Sequence, residues 1–196
     1  MDKKYQAIAV GASAGGLYAL SFLFEQLPAD YPIPVIVIQH RAKDQKELLE
    51  EVLQHKCKIT IKQADEKEKI KSGFVYIAPP GYHLLVEQDQ TFSLSSDEPV
   101  SLSKPSIDVL FESAAEVFRE KLVGLILTGA NNDGATGISI IKKYGGLTVA
   151  QYPQEAQYPQ MPLAAINSGG VENILTLKEI QTFLYQLSLP HRNEKD

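Results

Sequence analysis

Residues 5–16 read YQAIAVGASAGG, an apolar run that passes directly into a glycine-rich turn. The run from Tyr5 to Val10 predicts a short buried strand that ends at glycine. The apolar residues after the turn recur at helical spacing, which predicts a helix from Gly15 to Leu27 that Pro28 ends. A strand, a tight turn and a helix in this order form the first half of a βα unit.

The same alternation continues along the chain. Val35 to Ile38 is β-branched throughout, as in strands covered on both faces. His83 to Val86 and Phe92 to Leu94 flank a polar stretch and predict an antiparallel hairpin. Further strands are predicted at 59–61, 74–78, 122–127 and 147–150, and further helices at 45–54, 106–118, 134–143, 162–167 and 177–187. The fold class is therefore α/β: a three-layer, doubly wound, mostly parallel sheet with an antiparallel hairpin addition.

Composition limits the kinds of function that fit. The chain has 196 residues, 44% hydrophobic, with a net charge of −5, which suits one domain over residues 1–189 and a polar tail at 190–196. The acidic balance and the lack of a basic cluster argue against nucleic acid as a partner. No apolar run is long enough to insert into a membrane, and no signal peptide precedes the first strand. With a single cysteine, Cys57, the chain is expected to be cytoplasmic.

Three reactive side chains follow three of the predicted strands. Ser13 comes after the first strand, His40 after the second, and Asp133 after the strand that ends near Leu127. Ligands of open parallel sheets bind outside the carboxyl ends of the strands, so these residues should meet at one edge. A hydroxyl, an imidazole and a carboxylate are what a nucleophile, its base and the group that orients the base require.

Each of the three residues also has a plainer interpretation. Ser13 lies in a Gly-x-Ser-x-Gly pattern between a strand and a helix, as in a nucleophile elbow, but serine is also a common helix N-cap. His40 could be a strand-end histidine with one satisfied hydrogen bond. Asp133 could cap the helix that starts at Gly134. Their joint placement at strand ends favours a catalytic triad over three unrelated structural roles.

A phosphate-binding loop is the rival interpretation of the glycine-rich turn. A dinucleotide fingerprint needs glycine where Ser13 stands and an acidic residue after the second strand, where His40 and Arg41 stand. Arg41 could hold a phosphate. No Walker or metal-ligand spacing is present, and no metal or organic cofactor is expected. His83 and Cys57 are interpreted as structural, and His55 and His191 as surface residues.

The sequence resembles the CheB family of chemotaxis methylesterases over residues 5–187. The resemblance rests on five ordered motifs, which read AVGASAGG at 9–16, VIQH at 37–40, VYIAPPGYHLLV at 75–86, KPSIDVLF at 104–111, and LTG at 127–129 with NDGA at 132–135. It implies Ser13 as nucleophile, His40 as base and Asp133 as the residue that orients the base. The implied reaction is hydrolysis of glutamate γ-methyl esters on the cytoplasmic helices of methyl-accepting chemotaxis receptors, with deamidation of receptor glutamines as a second activity.

Several positions depart from the family pattern. The family usually has Met-Gly where Ala130 and Asn131 stand, a glycine in place of Gln160, and often a basic residue in place of Leu163. These departures bear on substrate recognition and on the oxyanion pocket, which the N–H groups near Ala14 and in the loop 129–133 could form. Many members also carry a phosphoacceptor receiver domain before the esterase. None is expected here, so a regulator would act in trans.

Three alternatives stay open at this point. The chain could be a serine esterase of a different substrate, a non-catalytic receptor-docking module, or a nucleotide-binding α/β domain. Covalent labelling of the serine would separate the esterases from the other two.

Overall fold

A computed structural model describes residues 5–41 and 49–189 of the chain. The strands are β1 (Ala7–Ala12), β2 (Val35–Gln39), β3 (Thr60–Gln63), β4 (Phe74–Ile77), β5 (His83–Val86), β6 (Phe92–Ser95), β7 (Leu122–Ile126), β8 (Leu147–Gln151) and β9 (Asn173–Leu175). The helices are α1 (Gly16–Phe24), α2 (Leu49–Gln54), α3 (Ile107–Phe118), α4 (Ala135–Lys143), α5 (Gln160–Asn167) and α6 (Leu177–Gln186), with a 3₁₀ turn at Arg119–Lys121.

The main sheet has seven parallel strands in the order β3-β4-β2-β1-β7-β8-β9. The first half of the chain builds outward from β1 on one side, and the second half builds outward from β7 on the other. The strand order therefore reverses between β1 and β7, where a doubly wound sheet opens a crevice at its carboxyl edge. The predicted α/β, doubly wound fold is confirmed.

Helices cover both faces of the sheet because the central strands are apolar on both faces. In β1, Ile8 and Val10 belong to the core under α1, α2 and α6, whereas Ala7 and Ala9 belong to the core under α3, α4 and α5. Successive side chains of a strand point to opposite faces, so one strand contributes to two cores. Small residues on the second face let α3 approach closely, and a Cβ on Gly11 would lie 2.6 Å from Ile107 Cγ2.

The antiparallel hairpin is confirmed, but it forms a two-stranded sheet of its own instead of joining the main one. Its apolar residues Leu84, Val86 and Phe92 share a core with α3. The Ser113 hydroxyl on α3 also accepts a hydrogen bond from the Val86 N–H at 3.1 Å. The hairpin is thereby fixed to the helix whose N-terminus reaches the candidate site.

Some element bounds differ from those predicted. The first helix ends at Phe24, and Leu27 is buried beyond its end. Strand β9 was not predicted, since it has only three residues at the edge of the sheet and none of them is fully buried. Residues 45–48 of the predicted second helix, the tail 190–196 and His191 lie outside the described residues. None of the helices in the described ranges is long and apolar enough to cross a membrane.

Candidate active site

Three adjacent strands bring the candidate residues to one edge of the sheet. Beyond the end of β1, the Ser13 N–H donates to the Thr128 carbonyl at 3.0 Å. The His40 N–H donates to the Ala12 carbonyl, also at 3.0 Å, so the β1–β2 ladder continues to the histidine. Asp133 follows β7 by a short loop. All three residues therefore follow adjacent strands at one edge of the sheet, as predicted.

The tight turn that carries Ser13 depends on Gly15. Gly15 has φ 79° and is the N-cap of α1, and no side chain caps this helix. Positive φ is costly for residues with a Cβ, so the left-handed turn needs a glycine here. Ser13 is not among the described residues with positive φ, so the left-handed conformation of the turn falls on Gly15, and Ser13 is only partly buried. The interpretation of Ser13 as the N-cap of α1 is wrong.

Gln39 ties the turn to the next strand. This buried side chain donates from Nε2 to the Ser13 carbonyl at 2.8 Å and to the His40 carbonyl at 2.9 Å. A Cβ on Gly16 would lie 1.9 Å from Gln39 Oε1, so the glycine makes room for the amide. One amide thus fixes the backbones of Ser13 and His40 relative to each other.

His40 and Asp133 form a direct pair. His40 Nε2 lies 2.9 Å from Asp133 Oδ2, and the Asp133 side chain is fully buried. A carboxylate can only accept here, so Nε2 carries the proton and Nδ1 keeps the lone pair of the neutral ring. Well-known Ser-His-Asp sites use the two ring nitrogens the other way round, but either arrangement leaves one nitrogen basic and one oriented.

The carboxylate of Asp133 lies at the N-terminus of α3. It accepts hydrogen bonds from the Ser106 hydroxyl at 2.8 Å, the Ile107 N–H at 2.7 Å and the Asp108 N–H at 3.1 Å. The free N–H groups and the dipole of a helix N-terminus favour a negative charge. Asp133 therefore accepts hydrogen bonds from the N-terminus of α3. The interpretation of Asp133 as a cap of the following helix α4 is wrong, because the N-cap of α4 is Gly134.

These hydrogen bonds decide the charge of Asp133. Burial alone would raise the pKa of Asp133, but the hydrogen bonds from His40, from the two N–H groups of α3 and from Ser106 outweigh it and lower the pKa. In neighbouring Asp108, burial dominates and raises the pKa, with a smaller contribution from the charge of Asp133. The pKa values of the two carboxyl groups are thus shifted in opposite directions, and Asp133 is the one held as an anion.

His83 supports the same network from the hairpin. It is 2% exposed, its Nδ1 accepts from the Ser106 N–H at 3.2 Å, and its Nε2 donates to the Glu98 carbonyl at 3.0 Å. Both ring nitrogens are occupied by backbone groups, which leaves none for chemistry. The structural interpretation of His83 is confirmed by these contacts.

Ser13 and His40 line one cavity of about 640 Å³ that extends between α1 and α2. Its walls are largely apolar, with Leu17, Phe22 and Val52 among them. A partly apolar cleft with a few polar groups at one end is the usual form of a small-ligand or side-chain site. The cavity gives a substrate side chain access to both Ser13 and His40.

Two regions were suggested as sources of oxyanion donors: the N–H groups near Ala14 and those of the loop 129–133. The Gly129 N–H donates to the Tyr158 carbonyl at 2.9 Å and is therefore engaged. The Ala14 N–H, next to Ser13, has no hydrogen-bond acceptor among residues 5–41 and 49–189. The Asp133 N–H is engaged as well, by Asn131 Oδ1 at 3.2 Å. Among the described residues, the Ala14 N–H is therefore available to an oxyanion, whereas the N–H groups at the two ends of the loop 129–133 are not.

The remaining candidates are structural. Arg41 Nη2 lies 2.9 Å from Glu50 Oε1, and Arg41 Nη1 lies 3.5 Å from Glu50 Oε2, so this guanidinium is already paired with a carboxylate. That pairing removes the phosphate ligand on which the nucleotide-binding interpretation depended. Burial raises the pKa of the Cys57 thiol to about 11, which keeps it protonated and unreactive.

Comparison with known proteins identifies the family. The sequence profile of the CheB methylesterase family matches residues 8–184. The chain belongs to the CheB methylesterase family. Its fold is similar to the crystal structure of the Thermotoga maritima CheB methylesterase catalytic domain, with a TM-score of 0.88 and 30% identity, covering 93% of this chain and 98% of that one.

Relatives of this CheB-family chain differ in length. A Leptospira interrogans protein is 48% identical over 183 residues, covering 93% of this chain and 95% of the relative. An Archaeoglobus fulgidus protein named protein-glutamate methylesterase/protein-glutamine glutaminase is 38% identical over 176 residues, covering 88% of this chain but 50% of the relative. This chain therefore spans nearly all of the first relative and half of the second.

Sequence reasoning missed three supporting residues of this CheB-family site. Ser106 was predicted only as the start of a helix and as part of a family motif; it is the N-cap of α3, but its side chain makes no capping bond and donates to Asp133 instead. Gln39 was quoted only as part of a family motif, and Asn131 only as a departure from the family pattern. Asn131 Nδ2 lies 3.2 Å from His40 Nδ1. Gln39 directly precedes His40 and Asn131 lies two residues before Asp133, whereas Ser106 lies 27 residues from Asp133 and gave no local signal.

Replacing Ser106 with alanine should lower esterase turnover moderately, by roughly tenfold, because the Asp133 carboxylate loses one charge-assisted hydrogen bond but keeps its other donors. The matched control is Ser113→Ala on the same helix, whose hydroxyl accepts from Val86 and does not contact Asp133. Urea unfolding should show a loss of roughly 1.5–3 kcal/mol for Ser106→Ala and about 1 kcal/mol for Ser113→Ala, but only the first change should slow turnover. Equal turnover in the two variants would contradict a positioning role for Ser106.

Proposed function

We propose that the chain is a protein-glutamate methylesterase that works through a Ser13-His40-Asp133 triad. The observation that carries this proposal is the 2.9 Å bond between His40 and buried Asp133, at the end of a cavity that Ser13 also lines. Membership of the CheB methylesterase family supports the choice of ester over other carbonyl substrates.

Acylation begins when the substrate side chain enters the cavity. His40 Nδ1 takes the proton of the Ser13 hydroxyl while the serine oxygen attacks the ester carbonyl. Asp133 stabilises the imidazolium that forms, since its pKa is lowered and it stays an anion. The Ala14 N–H donates to the oxyanion, and such a donor is worth about 3 kcal/mol of transition-state stabilisation.

The tetrahedral intermediate collapses with loss of methanol. The proton on His40 passes to the leaving methoxide, and the glutamyl group stays on Ser13 as an ester. Water, deprotonated by His40, then attacks this acyl-enzyme and releases the glutamate carboxylate and the free serine. A glutamine side chain in the same pose would lose ammonia instead of methanol, which makes deamidation a second activity of the same residues.

The proposed substrate is the cytoplasmic helical region of methyl-accepting chemotaxis receptors. The A. fulgidus relative is named for both glutamate methylesterase and glutaminase activity, which supports this substrate class. The largely apolar wall beside Ser13 suits the methylene groups of a methylated glutamate. Regulation by a partner in trans stays a prediction.

Release of methanol from radiolabelled, methylated receptor membranes tests this function. The chain should release methanol, whereas a simple carboxylic ester incubated in parallel should turn over slowly because it lacks the receptor surface. Fast turnover of the simple ester without methanol release from receptor would favour a different esterase. No turnover of either, with Ser13 unreactive to a fluorophosphonate, would favour a docking module.

A further inference from the structure

Asn131 makes two contacts that fix the orientation of its side-chain amide. Its Oδ1 accepts a hydrogen bond from the Asp133 N–H at 3.2 Å. Its Nδ2 lies 3.2 Å from His40 Nδ1. Because the oxygen is held by a backbone donor, the NH₂ end is the one that faces the imidazole.

This amide occupies the nitrogen that the reaction needs. His40 Nε2 donates to Asp133, so Nδ1 carries the only lone pair of the neutral ring that can accept a proton. Asn131 donates to that lone pair. Within the described residues, no hydrogen bond joins the Ser13 hydroxyl to His40, although both side chains line the same cavity. Ser13 and Asn131 therefore compete for one acceptor.

We propose that Asn131 restrains the general base: it holds His40 Nδ1 in the resting site, and Ser13 must displace it before acylation. This inference rests on the proposed function, since it assigns a role to a residue beside the proposed base. A neutral hydrogen bond shifts an equilibrium by roughly two- to tenfold. Asn131 accordingly sets the rate at which Ser13 is activated, by about that factor, without entering the chemistry itself.

The position of Asn131 fits a restraint of this kind. It is partly buried, so the amide meets less competition from water than a fully exposed one would. Its loop neighbour Asn132 is exposed, and its side chain makes no hydrogen bond to His40 or Asp133 among the described residues. The two adjacent asparagines provide a matched pair, one that touches the base and one that does not.

The test uses Asn131→Gly and Asn131→Ser, with Asn132→Ser as control, because serine removes the Asn132 amide without adding the backbone freedom of glycine to the loop 129–133. Serine can keep a short side-chain contact to the Asp133 N–H but is too short to take the place of the amide at His40. The rate of labelling of Ser13 by a fluorophosphonate should rise two- to tenfold in both Asn131 variants and stay unchanged in the control. A fall in rate would overturn the inference and make Asn131 a donor to the oxyanion.

A second readout does not depend on activity. The ¹⁵N resonance of His40 Nδ1, measured at high pH where imidazole is neutral, should move in the Asn131 variants toward the value of a nitrogen without a hydrogen bond. Labelling at equal rates in all variants, or an unmoved resonance, would overturn this inference alone. Absence of labelling in every variant, wild type included, would overturn the proposed function and this inference with it.

Discussion

Replacing Ser13 with alanine should lower methanol release from methylated receptor by at least about ten-thousandfold, because the acyl-enzyme can no longer form. The fold should be unaffected. The Ser13 side chain makes no hydrogen bond within the described residues and is only partly buried, so the free energy of unfolding should change by less than about 0.5 kcal/mol. Radiolabelled methanol release and urea unfolding measure the two effects.

The control for this variant is Ser21→Ala, a second serine that lines the same cavity from α1. It should keep nearly full turnover. His40→Ala should match the loss in Ser13→Ala, and the double variant should be no worse than either, because residues that act as one unit lose their effect together. Losses that multiply in the double variant would show that Ser13 and His40 work independently.

Replacing Asp133 with asparagine should have the second-largest effect, lowering turnover by roughly a thousandfold to ten-thousandfold. In the wild type, four donors point at the Asp133 carboxylate: the His40 ring, the Ser106 hydroxyl and two N–H groups of α3. The asparagine amide would place its own NH₂ group among these donors. At least one buried donor then loses its acceptor, which costs about 1–3 kcal/mol of stability. Turnover and urea unfolding of the variant check both expectations.

The difference in stability between wild type and Asp133→Asn should decrease as the pH falls. The folded-state pKa of Asp133 is lowered from its ordinary value of 3.8. A lowered pKa means that the charged carboxylate stabilises the fold above the unfolded-state value, and that this contribution is lost as the pH falls through the folded-state value. The difference in free energy of unfolding between wild type and Asp133→Asn should therefore be largest at neutral pH and shrink below about pH 4.

Asp108→Asn is the matched control for this carboxylate, because Asp108 lies on the same helix terminus but has a raised pKa. Its charge is disfavoured in the folded state, so its loss should cost little at neutral pH, and the asparagine oxygen can still accept from the Gly137 N–H. A loss of stability and turnover as large as in Asp133→Asn would contradict the assignment of Asp133 as the anion of the site.

The fold was largely predictable because its strands are short, apolar and separated by glycine turns and amphipathic helices. Val35 to Ile38 and the run before Gly11 are strands in the structure, as predicted. β9 was not predictable in the same way, since three residues at a sheet edge are stabilised by their neighbour β8 and not by an apolar pattern of their own. The packing of the β5–β6 hairpin on α3 was likewise not predictable, since it depends on contacts between segments that are distant in sequence.

The backbone positions of the candidate triad were predictable from topology, because parallel strands place their carboxyl ends at one edge. The partners of the triad were not. Ser106 is distant from Asp133 in sequence, and a serine before a helix predicts a cap, whereas its hydroxyl here reaches the carboxylate. Asn131 differs from an ordinary loop asparagine only through where its amide points, which no local pattern encodes.

Mass spectrometry of the covalent adduct tests directly whether Ser13 is a nucleophile that His40 activates. The chain is incubated with a fluorophosphonate, digested, and the modified peptide is sequenced, with His40→Ala treated in parallel. We expect one adduct, on Ser13, in the wild type, and labelling slowed by orders of magnitude in His40→Ala. An adduct on another residue, or labelling of Ser13 at the same rate without His40, would contradict this expectation.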